Sequence, residues 1–129
     1  MIEHFNAPGL SDTPGYSHAV VASGGRLVVT AGAVPLDANG NLVGPGDYAA
    51  QARQVLDNLA LALGAAGARG QDVLKTTVYV VTEGREDLAG VWQVVQGSEV
   101  AAAASTLLGV SLLGYEGQLV EVEAIAVAG

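Results

Sequence analysis

Hydrophobic and polar positions alternate most clearly in the last stretch of this chain, Leu119–Val127. Alternate residues of a strand share a face, so one face of this stretch is wholly apolar. Its members are Val120, Val122, Ala124 and Ala126, and the opposite face carries Leu119, Glu121, Glu123, Ile125 and Val127. A buried, ionised glutamate without a partner costs several kcal/mol. Either that part of the face is wet, or a polar group meets the carboxylates there.

A 3.6-residue rhythm predicts a long helix that follows Asp47, a suitable N-cap, and ends near Gly64 and Gly67. Its apolar positions are Ala49, Ala52, Val55, Leu56, Leu59, Leu63 and Ala66. Its other face is predicted to be polar and to include Gln51, Arg53, Gln54, Asp57 and Asn58. A shorter helix is predicted over Asp87–Gln96, with Leu88, Val91, Trp92 and Val95 on one stripe.

The remaining apolar segments predict strands. Tyr16–Ala22 and Leu27–Ala31 flank Gly24 and Gly25, which predicts a hairpin after an irregular start. Val73–Val81 predicts a further strand, whereas Ala101–Ala104 is ambiguous and is followed by an extended segment, Ser105–Val110. This order of elements predicts an α+β fold with two helices on one face of a mixed sheet.

Composition narrows the function classes. A length of 129 residues and a single run of patterned segments predict one domain, residues 1–129. We also expect a homo-oligomer, because half of the residues are hydrophobic and only 14% are charged. A net charge of −8 argues against nucleic acid as a partner, and apolar stretches shorter than ~20 residues argue against a membrane span. No export signal is visible at the amino terminus, so a cytoplasmic location is expected. The sequence has no cysteine, two distant histidines and no nucleotide-binding motif, so we expect neither metal nor cofactor.

Few residues are candidates for chemistry, and each has a plainer interpretation. Glu121 and Glu123 are a possible acid/base pair, but pattern alone favours carboxylates that are in water or paired with a base. His18 could shuttle protons, but a surface position is the simpler interpretation. Trp92 is interpreted as a core residue, although a large aromatic can also form the floor of a small-molecule pocket. Tyr16 begins a predicted strand, where its hydroxyl is exposed by default.

Taken together, several runs resemble the RidA (YjgF, reactive intermediate deaminase) family over nearly the whole chain. The runs are Pro14–Val20, Gly32–Asp37, Gln51–Leu59, Ala65–Gly67, Asp72–Tyr79 and Leu119–Ala126. The resemblance implies a chorismate-mutase-like fold and a homotrimer with three clefts between subunits. It also implies hydrolysis of enamines and imines to 2-oxo acids and ammonia, with Glu121 helping to position or activate water.

The sequence departs from the family where an arginine would grip the substrate carboxylate. The family's Pro-Ala-Arg-Ser run aligns with Ala102–Ser105, which puts Ala104 at the arginine position. Trp92 stands where the second helix usually has asparagine, and Ala31–Ala33 replaces a Ser-Gly-Gln run. Loss of a charge-assisted contact removes about 1.5 to 3 kcal/mol of binding, so we expect a retained cleft with a changed ligand.

Three hypotheses follow. In the first, a trimer of an arginine-lacking subgroup binds a small metabolite between subunits, with weak or no activity on the usual imines. Glu121 is its catalytic residue, and its ligand-binding residues are Tyr16, Gly32, Trp92, Ala104, Ser105 and Thr106. In the second, Arg26, Arg53, Arg69 or Arg85 replaces the missing arginine in an ordinary imine deaminase. The third is a non-enzymatic metabolite-binding or protein-interaction module. Ribonuclease activity is disfavoured by the negative charge.

Overall fold

The strongly alternating stretches of the sequence become the inner strands of a mixed sheet. The computed structural model describes all 129 residues, Met1–Gly129, and contains six strands and two α-helices. In chain order these are β1 (Ile2–Phe5), β2 (Ala19–Ala22), β3 (Arg26–Val29), α1 (Tyr48–Ala65), β4 (Val73–Val81), α2 (Arg85–Gln96), β5 (Ala104–Val110) and β6 (Val120–Ala128). A 3₁₀ turn, Gly70–Asp72, leads into β4.

Four of the strands form the main sheet in the order β3-β6-β4-β5. β6 is antiparallel to both of its neighbours, and β5 is parallel to β4. A parallel pair needs a crossover connection, and α2 supplies it between β4 and β5. The predicted α+β fold, with two helices packed on a mixed sheet, is confirmed.

Helix α1 forms as its sequence predicts. The Asp47 carboxylate accepts a hydrogen bond from the Ala50 amide at 3.0 Å and so caps the first turn. Gly67, at φ +83°, follows the last turn and takes a conformation that side chains disfavour. The residues that α1 buries include Val55, Leu59 and Leu63, which are at most 1% exposed.

Gln51 contradicts its predicted place on the polar face of α1, because it is fully buried. It lies one turn before Val55 and so shares the face that packs on the core. Its amide donates to the Gly44 and Gly117 carbonyls at 3.1 and 3.0 Å and accepts from the Leu119 amide at 2.7 Å. The buried amide is therefore satisfied, and it connects the start of α1 to the start of β6.

The amino-terminal part is paired differently from the prediction. The predicted irregular start contains β1, which pairs antiparallel with β2 in a separate two-stranded sheet. Gly24 and Gly25 do form a turn with positive φ angles, +73° and +78°, but the strands on either side of it do not pair with each other. β3 pairs instead with β6. A local sequence signals the turn, whereas the choice of partner depends on a strand about 100 residues away.

The helices cover one face of the main sheet and leave the other face open. Val78, Val80 and Val120 are fully buried on the face that the helices cover. On the opposite, open face Leu27 and Val29 are 70% and 68% exposed. No helix in the structure combines the length and the apolar character needed to cross a membrane.

Candidate functional site

Three of the predicted ligand-binding residues line one groove of about 630 Å³ beside α2 and β5. They are Tyr16, Trp92 and Ser105. Tyr16 reaches this place because the next residue is bonded to the edge of the sheet. The Ser17 hydroxyl donates to the Ala102 carbonyl at 2.6 Å, and the Ser17 amide donates to the Ala103 carbonyl at 3.3 Å.

The aromatic wall of the groove is fixed by one hydrogen bond and one ring contact. Trp92 Nε1 donates to the Pro14 carbonyl at 2.9 Å, and the Tyr16 ring lies edge-on to the indole at 5.9 Å between centroids. Trp92 is only 8% exposed and belongs to the hydrophobic core as well as to the groove. Because its single donor is already used, the indole offers a ligand an apolar surface.

Alternation along β5 separates the other predicted residues of this strand. The Thr76 hydroxyl donates to Ser105 Oγ at 2.8 Å, and Thr76 is fully buried between the sheet and the helices. Thr106 points to the open face, where Lys75 Nζ donates to its hydroxyl at 2.7 Å. Ala104 precedes Ser105 in β5, so by alternation it shares the open face with Thr106.

Glu121 also lies on the open face, where Gln118 and Gly32 are its neighbours. Gln118 Nε2 donates to Glu121 Oε1 at 2.9 Å. A methyl group added at Gly32 would overlap the Glu121 carboxylate, so the glycine permits this close approach. Gly32 and Glu121, both predicted site residues, are therefore direct neighbours in the folded chain.

A tyrosine crosses the open face beside both glutamates. Tyr79 is paired with Glu121 across the β4–β6 ladder, and Thr77 is paired with Glu123. Desolvation raises the pKa of Tyr79 above its usual value, and the neighbouring Glu123 and Glu121 carboxylates raise it further. The carboxylates thus share the face with hydroxyl groups among the aliphatic side chains.

One chain does not bring the predicted site together. Glu121 is opposite Tyr79 in β4, whereas Ala104 is level with Lys75. These positions are two strands and four residues apart, roughly 16 Å by ordinary strand spacing. Glu121 is also absent from the lining of the groove. The predicted residues therefore form two groups, one on the open face and one at the edge of β5 beside α2.

The sequence reasoning missed several residues of both groups. Leu88, Gln93 and Gln96 also line the groove, and the positions of Leu88 and Gln96, four residues before and after Trp92, were the available signal. Arg85, which the second hypothesis named, lines it as well. Gln118, which is 3% exposed, orients Glu121, and no periodic signal marks it. No three histidine, aspartate or glutamate side chains cluster closely enough to hold a metal ion.

The chain matches the family described as Endoribonuclease L-PSP over residues 8–128. The chain belongs to this family, the RidA/YjgF family. Rid-family membership accounts for the α+β fold and for the order of the matching runs.

Relatives support the assignment at the level of fold and sequence. A protein of the conserved Rid protein family from Yersinia pestis is 37% identical, with a TM-score of 0.88 over 98% of each chain. The YjgF gene product from Escherichia coli is 32% identical, with a TM-score of 0.66 over 96% of this chain and 92% of that one. The 2-iminobutanoate/2-iminopropanoate deaminase of Escherichia coli K12 is 45% identical over 56 residues. That match spans 43% of this chain and only 43% of the deaminase.

Proposed function

We propose that this protein is a Rid-family small-molecule-binding protein whose cleft forms between copies of a homotrimer. Its chemistry would be that of a divergent enamine or imine deaminase. The observation that carries the proposal is the division of the site residues between two surfaces of one chain. Gly32 and Glu121 lie on the open face, whereas Tyr16 and Trp92 lie in the groove. An interface between copies is the simplest way to bring the two groups together.

The open face supports the trimer for a second reason. Leu27, Val29 and Ile125 are 70%, 68% and 39% exposed, and no element of the chain covers them. Apolar area of this kind is favourable to bury against another copy. Light scattering should give about three times the chain mass of 12.9 kDa. A stable monomer at micromolar concentration would contradict the proposal.

Glu121 is the proposed catalytic residue. Hydrolysis adds water to the carbon of a C=N bond, and collapse of the resulting carbinolamine releases ammonia and leaves a carbonyl group. A carboxylate suits the first step because it can orient the water and accept its proton. Gln118 would hold that carboxylate in place through the 2.9 Å hydrogen bond.

The proposed change of substrate rests on Ala104. Alanine cannot grip a carboxylate, so small imines that depend on a grip at this position should be poor substrates. Backbone N–H groups near Ser105 would supply part of the replacement. The name of the Escherichia coli relative states activity on 2-iminobutanoate and 2-iminopropanoate, and the proposal expects these small imines to be hydrolysed weakly or not at all.

Ammonia release tests the activity. We expect no acceleration when 2-aminoacrylate is generated enzymatically in the presence of the protein. A panel of bulkier imines, generated by an amino-acid oxidase, should include one whose hydrolysis the protein accelerates. Glu121→Gln should abolish that acceleration. Glu3→Gln, which removes the same charge from β1, is the matched control and should leave the acceleration unchanged.

Three outcomes would change the assignment. Strong acceleration with 2-aminoacrylate would contradict the changed substrate. Activity that survives Glu121→Gln would contradict the catalytic role. No activity across the panel, together with tight metabolite binding, would favour the non-enzymatic alternative, for which the missing arginine is the specific observation.

A further inference from the structure

The groove beside α2 differs in charge from the rest of the molecule. The chain has 13 acidic and 5 basic residues, yet the 10 residues that line the groove include one base, Arg85, and no acid. The two acids in the first turn of α2, Glu86 and Asp87, do not line the groove, and Asp87 accepts a hydrogen bond from the Thr82 hydroxyl at 2.6 Å. The groove is therefore a local exception that suits an anion.

Arg85 is also the base best placed to serve a ligand. It forms no ion pair within the chain, and none of the side-chain hydrogen bonds involves it. The other four bases are Arg26, bonded to the Ala66 carbonyl at 3.3 Å; Arg69, paired with Asp72 at 3.5 Å; Lys75, bonded to Thr106 at 2.7 Å; and Arg53, on the exposed side of α1. Of the four arginines considered from sequence, Arg85 alone lines the groove that contains predicted site residues.

The rest of the groove suits the apolar part of a ligand. Trp92 offers its ring surface, because its N–H group is bonded to the Pro14 carbonyl, and Leu88 and Leu107 extend the apolar lining. The polar side chains of the lining, Tyr16, Gln93, Gln96 and Ser105, remain available to a ligand. Ser105 accepts from Thr76 and donates to no other group in the chain, so its hydroxyl hydrogen is free.

We propose that Arg85 is the carboxylate anchor of this groove and that the groove takes small carboxylates with a bulky aliphatic or aromatic side chain. This inference rests on the proposed function, because it names the substrate class of the same cleft. A guanidinium forms two parallel hydrogen bonds with a carboxylate. An anchor on the first turn of α2, rather than on β5, lets the apolar part of the ligand lie along Trp92 and the leucines.

The only tryptophan of the chain gives a direct measure of occupancy. Trp92 lines the groove, so a bound ligand should change its fluorescence. The probes are phenylacetate and its uncharged isostere phenylacetamide, neither of which has a C=N bond to hydrolyse. The variants are Arg85→Gln, which removes the proposed anchor, and Arg53→Gln, which removes the same charge from α1.

We expect phenylacetate to bind saturably and at least tenfold more tightly than phenylacetamide. Arg85→Gln should weaken phenylacetate at least tenfold and leave phenylacetamide within twofold, the size expected for a lost charge-assisted hydrogen bond. Arg53→Gln should behave as the wild type. Arg85→Lys should bind phenylacetate more tightly than Arg85→Gln but less tightly than the wild type, since lysine keeps the charge without the two parallel hydrogen bonds of a guanidinium.

Other results would overturn the inference. These are no binding of phenylacetate, equal affinity for the two probes, equal loss in the two glutamine variants, or unchanged binding by Arg85→Gln. The readout needs no turnover, so it is separate from the test of the proposed function. A protein that hydrolyses no imine can still show Arg85-dependent binding, and an active deaminase can bind phenylacetate without Arg85.

Discussion

The two faces of the main sheet are built from the same strands, yet they have different compositions. On the covered face β4 and β6 present mainly valine and alanine, and the helices bury nearly all of this area. On the open face the same strands present Lys75, Tyr79 and Glu121 among exposed aliphatic side chains. Alternation along two strands thus divides the molecule into a face that stabilises the fold and an open face that mixes polar groups with exposed apolar side chains.

The largest effect should come from the covered face. Leu59→Ala removes a side chain that is 1% exposed and should lower the free energy of unfolding by about 2 to 5 kcal/mol. Leu61→Ala, two residues along the same helix at 73% exposure, should change it by less than about 0.5 kcal/mol. Urea unfolding of both variants checks the contrast, and equal losses would mean that an unseen contact covers Leu61.

A second test asks whether one buried polar side chain matters as much as the apolar core around it. Gln51→Leu keeps the volume but leaves the Leu119 amide and the Gly117 carbonyl without their bonds to the amide. The variant should lose about 2 to 3 kcal/mol in urea unfolding. Gln54→Leu is the matched control, because the Gln54 amide bonds only the side chain of Asn58. A stable Gln51→Leu would show that water replaces the amide.

A third test adds a methyl group at Gly32, beside Glu121 on the open face. Gly32→Ala should push the Glu121 carboxylate aside, lower stability by about 1 to 3 kcal/mol and remove any activity that depends on Glu121. Gly90→Ala, in the interior of α2 with no atom near the new methyl group, should instead raise stability by about 0.5 to 1 kcal/mol. Calorimetry and the ammonia assay measure both. Full activity in Gly32→Ala would separate Glu121 from the site.

The smallest effect concerns alkaline pH. Tyrosine is neutral when protonated, so a raised pKa of Tyr79 means that the folded protein holds this proton more tightly than the unfolded chain does. The contribution to stability is complete below the unfolded pKa of about 10 and is lost as the pH rises through the folded value. Tyr79→Phe should therefore lose less stability than the wild type above that pH. Tyr115→Phe, at an exposed tyrosine, should keep the wild-type slope.

Sequence reasoning succeeded where the signal is local. The alternation of Val73–Val81 and of the last strand defined the two faces, and Asp47 marked the start of α1. It failed where a residue has a distant partner. The position of Gln51 depends on loops before α1 and before β6. The pairing of β3 depends on β6 rather than on the adjacent turn.

The candidate site shows the same limit. The family resemblance supplied Glu121, Tyr16 and Trp92 and implied a cleft between subunits, but it did not show which of these residues one chain keeps apart. Arg85 was one of four arginines that sequence alone left equivalent. The structure distinguishes Arg85 because this residue lines the groove. That groove is formed by α2, β5 and the segment before β2, so no single stretch of the sequence could predict it.

The hydrogen bond from Trp92 to the Pro14 carbonyl has a consequence for how this protein can diversify. It joins residues 78 positions apart, and the segment that contains Pro14 lies outside the four-stranded sheet. That segment forms one wall of the groove but adds little to the hydrophobic core. Substitutions there can reshape the groove at small cost to folding, so new ligand preferences can evolve on a scaffold that stays the same.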